Sequence, residues 1–159
     1  MTTMTTIEKK SLRVGKYVDT NHVDTLIRTY KQERWAANSE RIGQEDSLSV
    51  WYSVEEMEEF IQKAKQSGAN GIRMHFGVYP ENFAKPEKAS KQTIVMVANE
   101  QNETATGVAE KNIYINTEKG REILAYNYGG LGEPAGSGSE WEGIGITIVD
   151  RGDKGIVVI

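Results

Sequence analysis

Arg73, His75 and Tyr79 stand at every-second-residue spacing. In a β-strand that spacing puts a guanidinium, an imidazole and a phenol on one face, a set that can hold an anion or relay a proton near neutral pH. No nucleophile or partner motif adjoins them, and a solvated, hydrogen-bonded sheet face accounts for the same residues. The other histidine, His22, falls at a helix start. Two histidines and scattered carboxylates have no metal-ligand spacing, so no metal and no cofactor is expected. The absence of cysteine removes disulfides, thiol catalysis and cysteine zinc sites. Glu55 and Glu59 share a helix face, as an acid pair for glycoside chemistry would. The helix dipole and solubility explain them, together with Glu56 and Glu58, without any reaction.

Three further motifs have plain readings. Gly129, Gly130 and Gly132, then Gly136 and Gly138, suggest a phosphate cradle. The strand, loop and helix context is missing, and Glu133, Glu140 and Glu142 would repel phosphate. Arg151-Gly152-Asp153 spells an adhesion tripeptide, but its chemistry is that of a hairpin turn. Asn102-Glu103-Thr104 matches a glycosylation acceptor, which matters only in a secreted chain.

The elements that position these residues follow from local signals. Residues 49–52 are β-branched and aromatic and read as a strand. Ser53 with Glu56 forms a capping box for a helix whose apolar stripe is Val54, Met57, Phe60, Ile61 and Ala64, with Lys63 and Lys65 near its end and Gly68 as its stop. Asn70-Gly71 turns the chain into a strand in which Ile72, Met74, Phe76 and Val78 alternate with the polar set, predicting one buried face. Pro80 ends that strand, and residues 81–91 form a polar loop that could act as a lid on the Arg73 face. Residues 92–98 are apolar on both faces and read as a central strand, returning antiparallel. The first two strands, joined through the helix, predict a parallel pair with a right-handed crossover.

The residues 54–60, Gly71-Ile72-Arg73-Met74-His75-Phe76-Gly77-Val78 and 93–97 together resemble a group of small uncharacterised proteins of the Bacteroidetes with a G-I-R-x-x-x-G-V strand. The resemblance covers the central third of the chain. It rests on a packing pattern and implies no activity for any residue. Those proteins often end in a Cys- and Pro-rich tail, a pattern from which this chain, without cysteine, departs.

Toward the N-terminus, residues 1–18 read as loosely ordered, with Leu12, Val14 and Tyr17 suited to a short strand. Asp19, Thr20 and Asn21 are good caps, with Asn21 and Asp24 a weak capping pair, for a helix that carries Val23, Leu26, Ile27, Tyr30 and Arg34 on one face, with Trp35 beside it, and runs to about Asn38. In the last third, residues 111–116 read as a strand. Residues 117–126 are ambiguous: Glu118 and residues 121–125 suit a short helix, which Gly120 weakens. Residues 129–139 are too rich in Gly and Ser for regular structure. Residues 144–149 and 156–159 flank a turn and form a hairpin, which is marginal alone and must dock on something.

At 159 residues with formal net charge −4, the chain is expected to be one domain and a poor general binder of nucleic acid. No window is long and apolar enough to span a bilayer, and the first six residues lack the apolar core of a signal peptide, so a cytoplasmic, non-membrane protein is expected. The fold class is α+β: a mixed sheet of about four to six strands, two helices on one face and a C-terminal hairpin. The organisation expected is a core over 1–128, a linker over 129–143 and the hairpin over 144–159. The function expected is a non-catalytic interaction or structural accessory role. Its partner would be a protein or a second copy, met through strand edges and the hairpin at Trp141, Ile146, Ile148 and Val157. The alternative is a small-molecule binder or weak acid–base enzyme on the Arg73, His75 and Tyr79 face.

Overall fold

The computed structural model describes residues 13–132 and the backbone of 148–150 and 156–158. Helices and antiparallel strands give the α+β class. The chain divides into two compact units. One holds Ser53–His75 and Val95–Asn127; the other holds Lys16–Tyr52, Phe76–Ile94 and the described residues from Tyr128 onward.

In the second unit, α1 (Thr20–Tyr30) starts within the expected group of caps, directly after Asp19. Of the three candidates Asp19 is the cap, and its side chain accepts the His22 backbone N–H at 2.8 Å. The helix passes through one π turn, Lys31–Trp35, into α2 (Ala36–Ile42), and stops at Gly43 with φ 72°. The π turn inserts a residue into the helical phase. The inward face therefore becomes Lys31 and Trp35, both fully buried, while Arg34 is exposed. Trp35 donates its indole N–H to the Asp46 carbonyl at 2.8 Å. Asp46 is itself buried, and one carboxylate oxygen accepts the backbone N–H groups of Ser47 and Gln92, each at 2.8 Å. The Tyr30 hydroxyl donates to the Gln92 side chain at 2.6 Å.

Val14 and Tyr17 form no strand and lie fully in solvent; Leu12 is outside the described residues. The strand β1 (Ser49–Trp51) does not enter the expected parallel pair. It runs antiparallel to β8 (Gly130–Gly132), so part of the glycine-rich run is a strand after all. Glycine is required there: a Cβ on Gly129 would overlap the Val50 side chain and sit 2.6 Å from the Tyr52 ring. The backbone-to-side-chain approach that glycine permits creates a strand where composition suggests none.

In the first unit, α3 (Val54–Gln66) follows its sequence signals. The Ser53 hydroxyl accepts the Glu56 N–H at 3.1 Å, and the Glu56 carboxylate accepts the Ser53 N–H at 2.7 Å. Phe60 and Ala64 are the buried part of its stripe, and the Phe60 ring lies 5.4 Å from that of Tyr126.

The main sheet is ordered β2 (Gly71–Val78), β3 (Gln92–Thr104), β4 (Gly107–Asn112), with β7 (Ala125–Tyr126) also on β3. As expected, β3 is central, and Thr93 and residues 96–100 are buried. Hydrogen bonds from Asn70 N–H to Asn99 and from Tyr79 N–H to Lys91 mark the antiparallel return of β3 beside β2. The ambiguous stretch is a hairpin, β5 (Tyr114–Thr117) and β6 (Gly120–Ile123), not a helix. Gly120 at φ 108° closes its turn, and the Thr117 hydroxyl accepts the Lys119 N–H inside it. Ala98, Ile113 and Leu124, all buried, exchange three backbone bonds. Ala98 N–H donates to Leu124, Leu124 N–H to Ile113 and Ile113 N–H to Ala98, at 2.9–3.0 Å. Residues 148–150 (β9) and 156–158 (β10) pair antiparallel, with Val149 opposite Val157, as the hairpin signal predicts.

Candidate functional site

The polar face of β2 is organised by a carboxylate that sequence reasoning did not single out. Arg73 donates from Nε to Glu110 Oε2 at 2.6 Å and from Nη2 to Glu110 Oε1. Gln101, opposite Glu110 in the β3–β4 register, donates to Oε1 at 2.7 Å. Two strands, β2 and β3, thus each place one side chain on a single carboxylate carried by β4. The Arg73 bonds first, then the Gln101 bond, hold Glu110 well below the usual carboxylate range, down to about 2. His75 is exposed on the same strand and adds its field to Glu110. The chemical consequence is specific. The guanidinium that would receive a substrate anion already has one, and a carboxylate this acidic exchanges no proton near neutrality.

Tyr79, the third residue of the expected set, has different company. It is buried, its hydroxyl accepts a bond from the Thr93 hydroxyl at 3.2 Å, and its ring stacks on Phe83 at 4.7 Å. The loop after it, the expected lid, is closed by its own turns: Phe83 N–H bonds Pro80, Lys88 bonds Lys85 and Ala89 bonds Pro86.

The apolar face of β2 overturns the expectation of burial. Met74 is 54% exposed, Phe76 82% and Val78 62%. Alternation requires one face to differ from the other, but it does not require a cover, and no described element covers these side chains. β2 is also an edge of its sheet, with β3 as its described neighbour. In the second unit Phe76 borders a hollow of about 210 Å³, lined also by Tyr30, Ser47, Leu48, Gln92 and Ile94.

Of the residues expected at a partner surface, Trp141 and Ile146 lie outside the described residues. Ile148 and Val157 stand in β9 and β10, whose backbone alone is described. The linker beyond Gly132 and the Arg151-Gly152-Asp153 turn are also outside. Among the described residues no three acidic or histidine side chains converge as a metal would need, and no helix is long and apolar enough to cross a membrane.

Comparison with protein-family models, with curated proteins and with solved structures finds no match for this chain.

Proposed function

We propose that this protein is a non-catalytic interaction module that takes up an extended apolar segment of a protein by strand addition along β2. The observation that carries the reading is the exposure of Phe76 and Val78 on an eight-residue edge strand. Sheet edges left open to solvent are ordinarily blunted by charge, by proline or by shortness. β2 has none of these on its apolar face, and its proline, Pro80, falls beyond its last residue. Backbone groups along such an edge supply affinity, and the alternating side chains supply specificity.

The segment that fits is the C-terminal hairpin of a second copy. The sequences Ile144-Gly145-Ile146-Thr147-Ile148-Val149 and Ile156-Val157-Val158-Ile159 are apolar and strand-forming. β9 and β10 form a two-stranded sheet joined to no other described strand, and an isolated hairpin needs a surface to be stable. The test is the mass of the full-length protein in solution, with binding of a synthetic peptide of residues 144–159 read alongside. The wild type self-associates and binds the peptide; Phe76→Asp does neither and keeps its melting temperature. A wild type that stays monomeric and ignores the peptide sinks the reading.

A further inference from the structure

We propose that Tyr128, with Lys85 and Lys88, forms a binding site for a planar aromatic anion of the nucleoside monophosphate type. All the residues involved belong to the second unit. Three rings, Tyr79, Phe83 and Tyr128, lie with centroids 4.7, 6.1 and 6.3 Å apart and planes 25–28° from parallel. Tyr79 is the buried base of the cluster, and Tyr128 presents its ring at 58% exposure. The Lys85 ammonium is 5.3 Å from the Tyr128 centroid; the Lys88 ammonium is 5.8 Å from both the Tyr128 and the Tyr79 centroids.

The lysines point to an anion. Their only described partners are these rings: neither ammonium has a hydrogen bond or an ion pair among the described residues. Two positive charges held within 6 Å of one ring centre repel each other. A phosphate carrying about two negative charges near neutral pH offsets both. The exposed ring supplies the second half of the recognition, since base–aromatic stacking accepts any flat heterocycle.

The site is built rather than accidental in its backbone. Tyr128 holds φ at 71°, a region that disfavours any residue with a Cβ. The next residue, Gly129, has no room for a side chain against Val50 and Tyr52. On the other side, Tyr79 is clamped by paired backbone bonds, its N–H to Lys91 and its carbonyl to Ser90 N–H, both at 3.0 Å. The exposed ring and the two ammonium groups beside it place a stacking surface and cationic charge side by side, and the flexible lysine stems can rotate to reach the anion. The acidic chain, at net charge −4, favours a free mononucleotide over a polyanionic strand.

The experiment is calorimetric titration of the full-length protein at low salt with adenosine monophosphate, adenosine, inorganic phosphate and a short oligouridylate. Adenosine monophosphate is expected to bind saturably, with adenosine and phosphate each at least tenfold weaker. Tyr128→Gly, which removes the ring and suits the backbone, should weaken it at least tenfold. Tyr128→Phe should retain it, and the Lys85→Gln, Lys88→Gln pair should lose most of it and its salt dependence. Absence of saturable binding, or undiminished binding by Tyr128→Gly, overturns the proposal. An oligouridylate that binds tighter than the mononucleotide through the same residues overturns the free nucleotide as ligand and assigns the platform to single-stranded nucleic acid.

Discussion

Lys31 carries its ammonium into the interior, where Nζ has no hydrogen-bond partner among the described residues. Burial, with the nearby Arg28 guanidinium, lowers its pKa to about 8, and Asp24 opposes the shift. The unfolded chain holds that proton to about pH 10.5, so between about 8 and 10.5 the unfolded state binds more protons than the folded one. Stability contributed by this residue therefore rises with pH across that window, and below it the charged form is a burden. Lys31→Met keeps the length and removes the charge. It should stabilise the protein at pH 7 by about 1–3 kcal/mol, with the advantage narrowing toward pH 10.5. Urea unfolding of both proteins at the two pH values decides it; a variant less stable at pH 7 refutes the account. The sequence hides such a residue because a lysine is buried here by a phase slip, not by its own preference. Glu110 was hidden in another way. Its strand, Gly107–Asn112, is exposed throughout and has no alternation to announce which residue faces Arg73. The Arg73 and His75 spacing, by contrast, was legible, since strand alternation alone puts both on one face.

Elements whose signals are local came through intact. The α3 cap, stripe and stop lie within one short stretch, and each signal depends on neighbours a turn apart. Ser53→Ala should cost about 1 kcal/mol, the usual value of a lost cap, measured by thermal unfolding of the full chain. An unchanged midpoint would mean that Glu56 alone secures the helix start. Glu56 has a second duty that local reading could not supply: it accepts the Tyr126 hydroxyl at 2.8 Å, a bond that, after those to Ser53, helps hold its carboxyl below the usual range. The failures share a cause. The pairing of β8 relies on glycine because distant Ser49, Val50 and Tyr52 leave no room for a side chain at Gly132 or at the preceding Gly129, and β5–β6 exists because Gly120 adopts a positive φ that a helix excludes. In both places glycine acts as a builder of strand contacts, whereas composition treats it as a breaker. β2 fails in the opposite sense: its alternation was read correctly, and its apolar face lies open.

At the scale of the whole molecule, the class was legible and the pairing was not. Alternation and capping distinguish helix from strand residue by residue, which suffices for α+β. Which strands become neighbours depends on register between segments far apart in sequence. The pairing of β1 with β8 in place of β2 is set there. The bonds among Ala98, Ile113 and Leu124 are the other case in which distant segments decide the architecture. A ladder frays from its ends, but a closed triangle has none. Opening any one of its bonds requires one of three buried residues to leave, and that removes the geometry of the other two. These amides should exchange with solvent deuterium only through unfolding of their whole unit, at one shared and slowest rate. The Gly107–Asn112 amides, on an exposed strand, should exchange sooner. All three corners lie between Ala98 and Leu124, so the closing loops are short and the entropy lost in closing them is small. The triangle is thus the place where folding of this unit can begin and where its unfolding must finish.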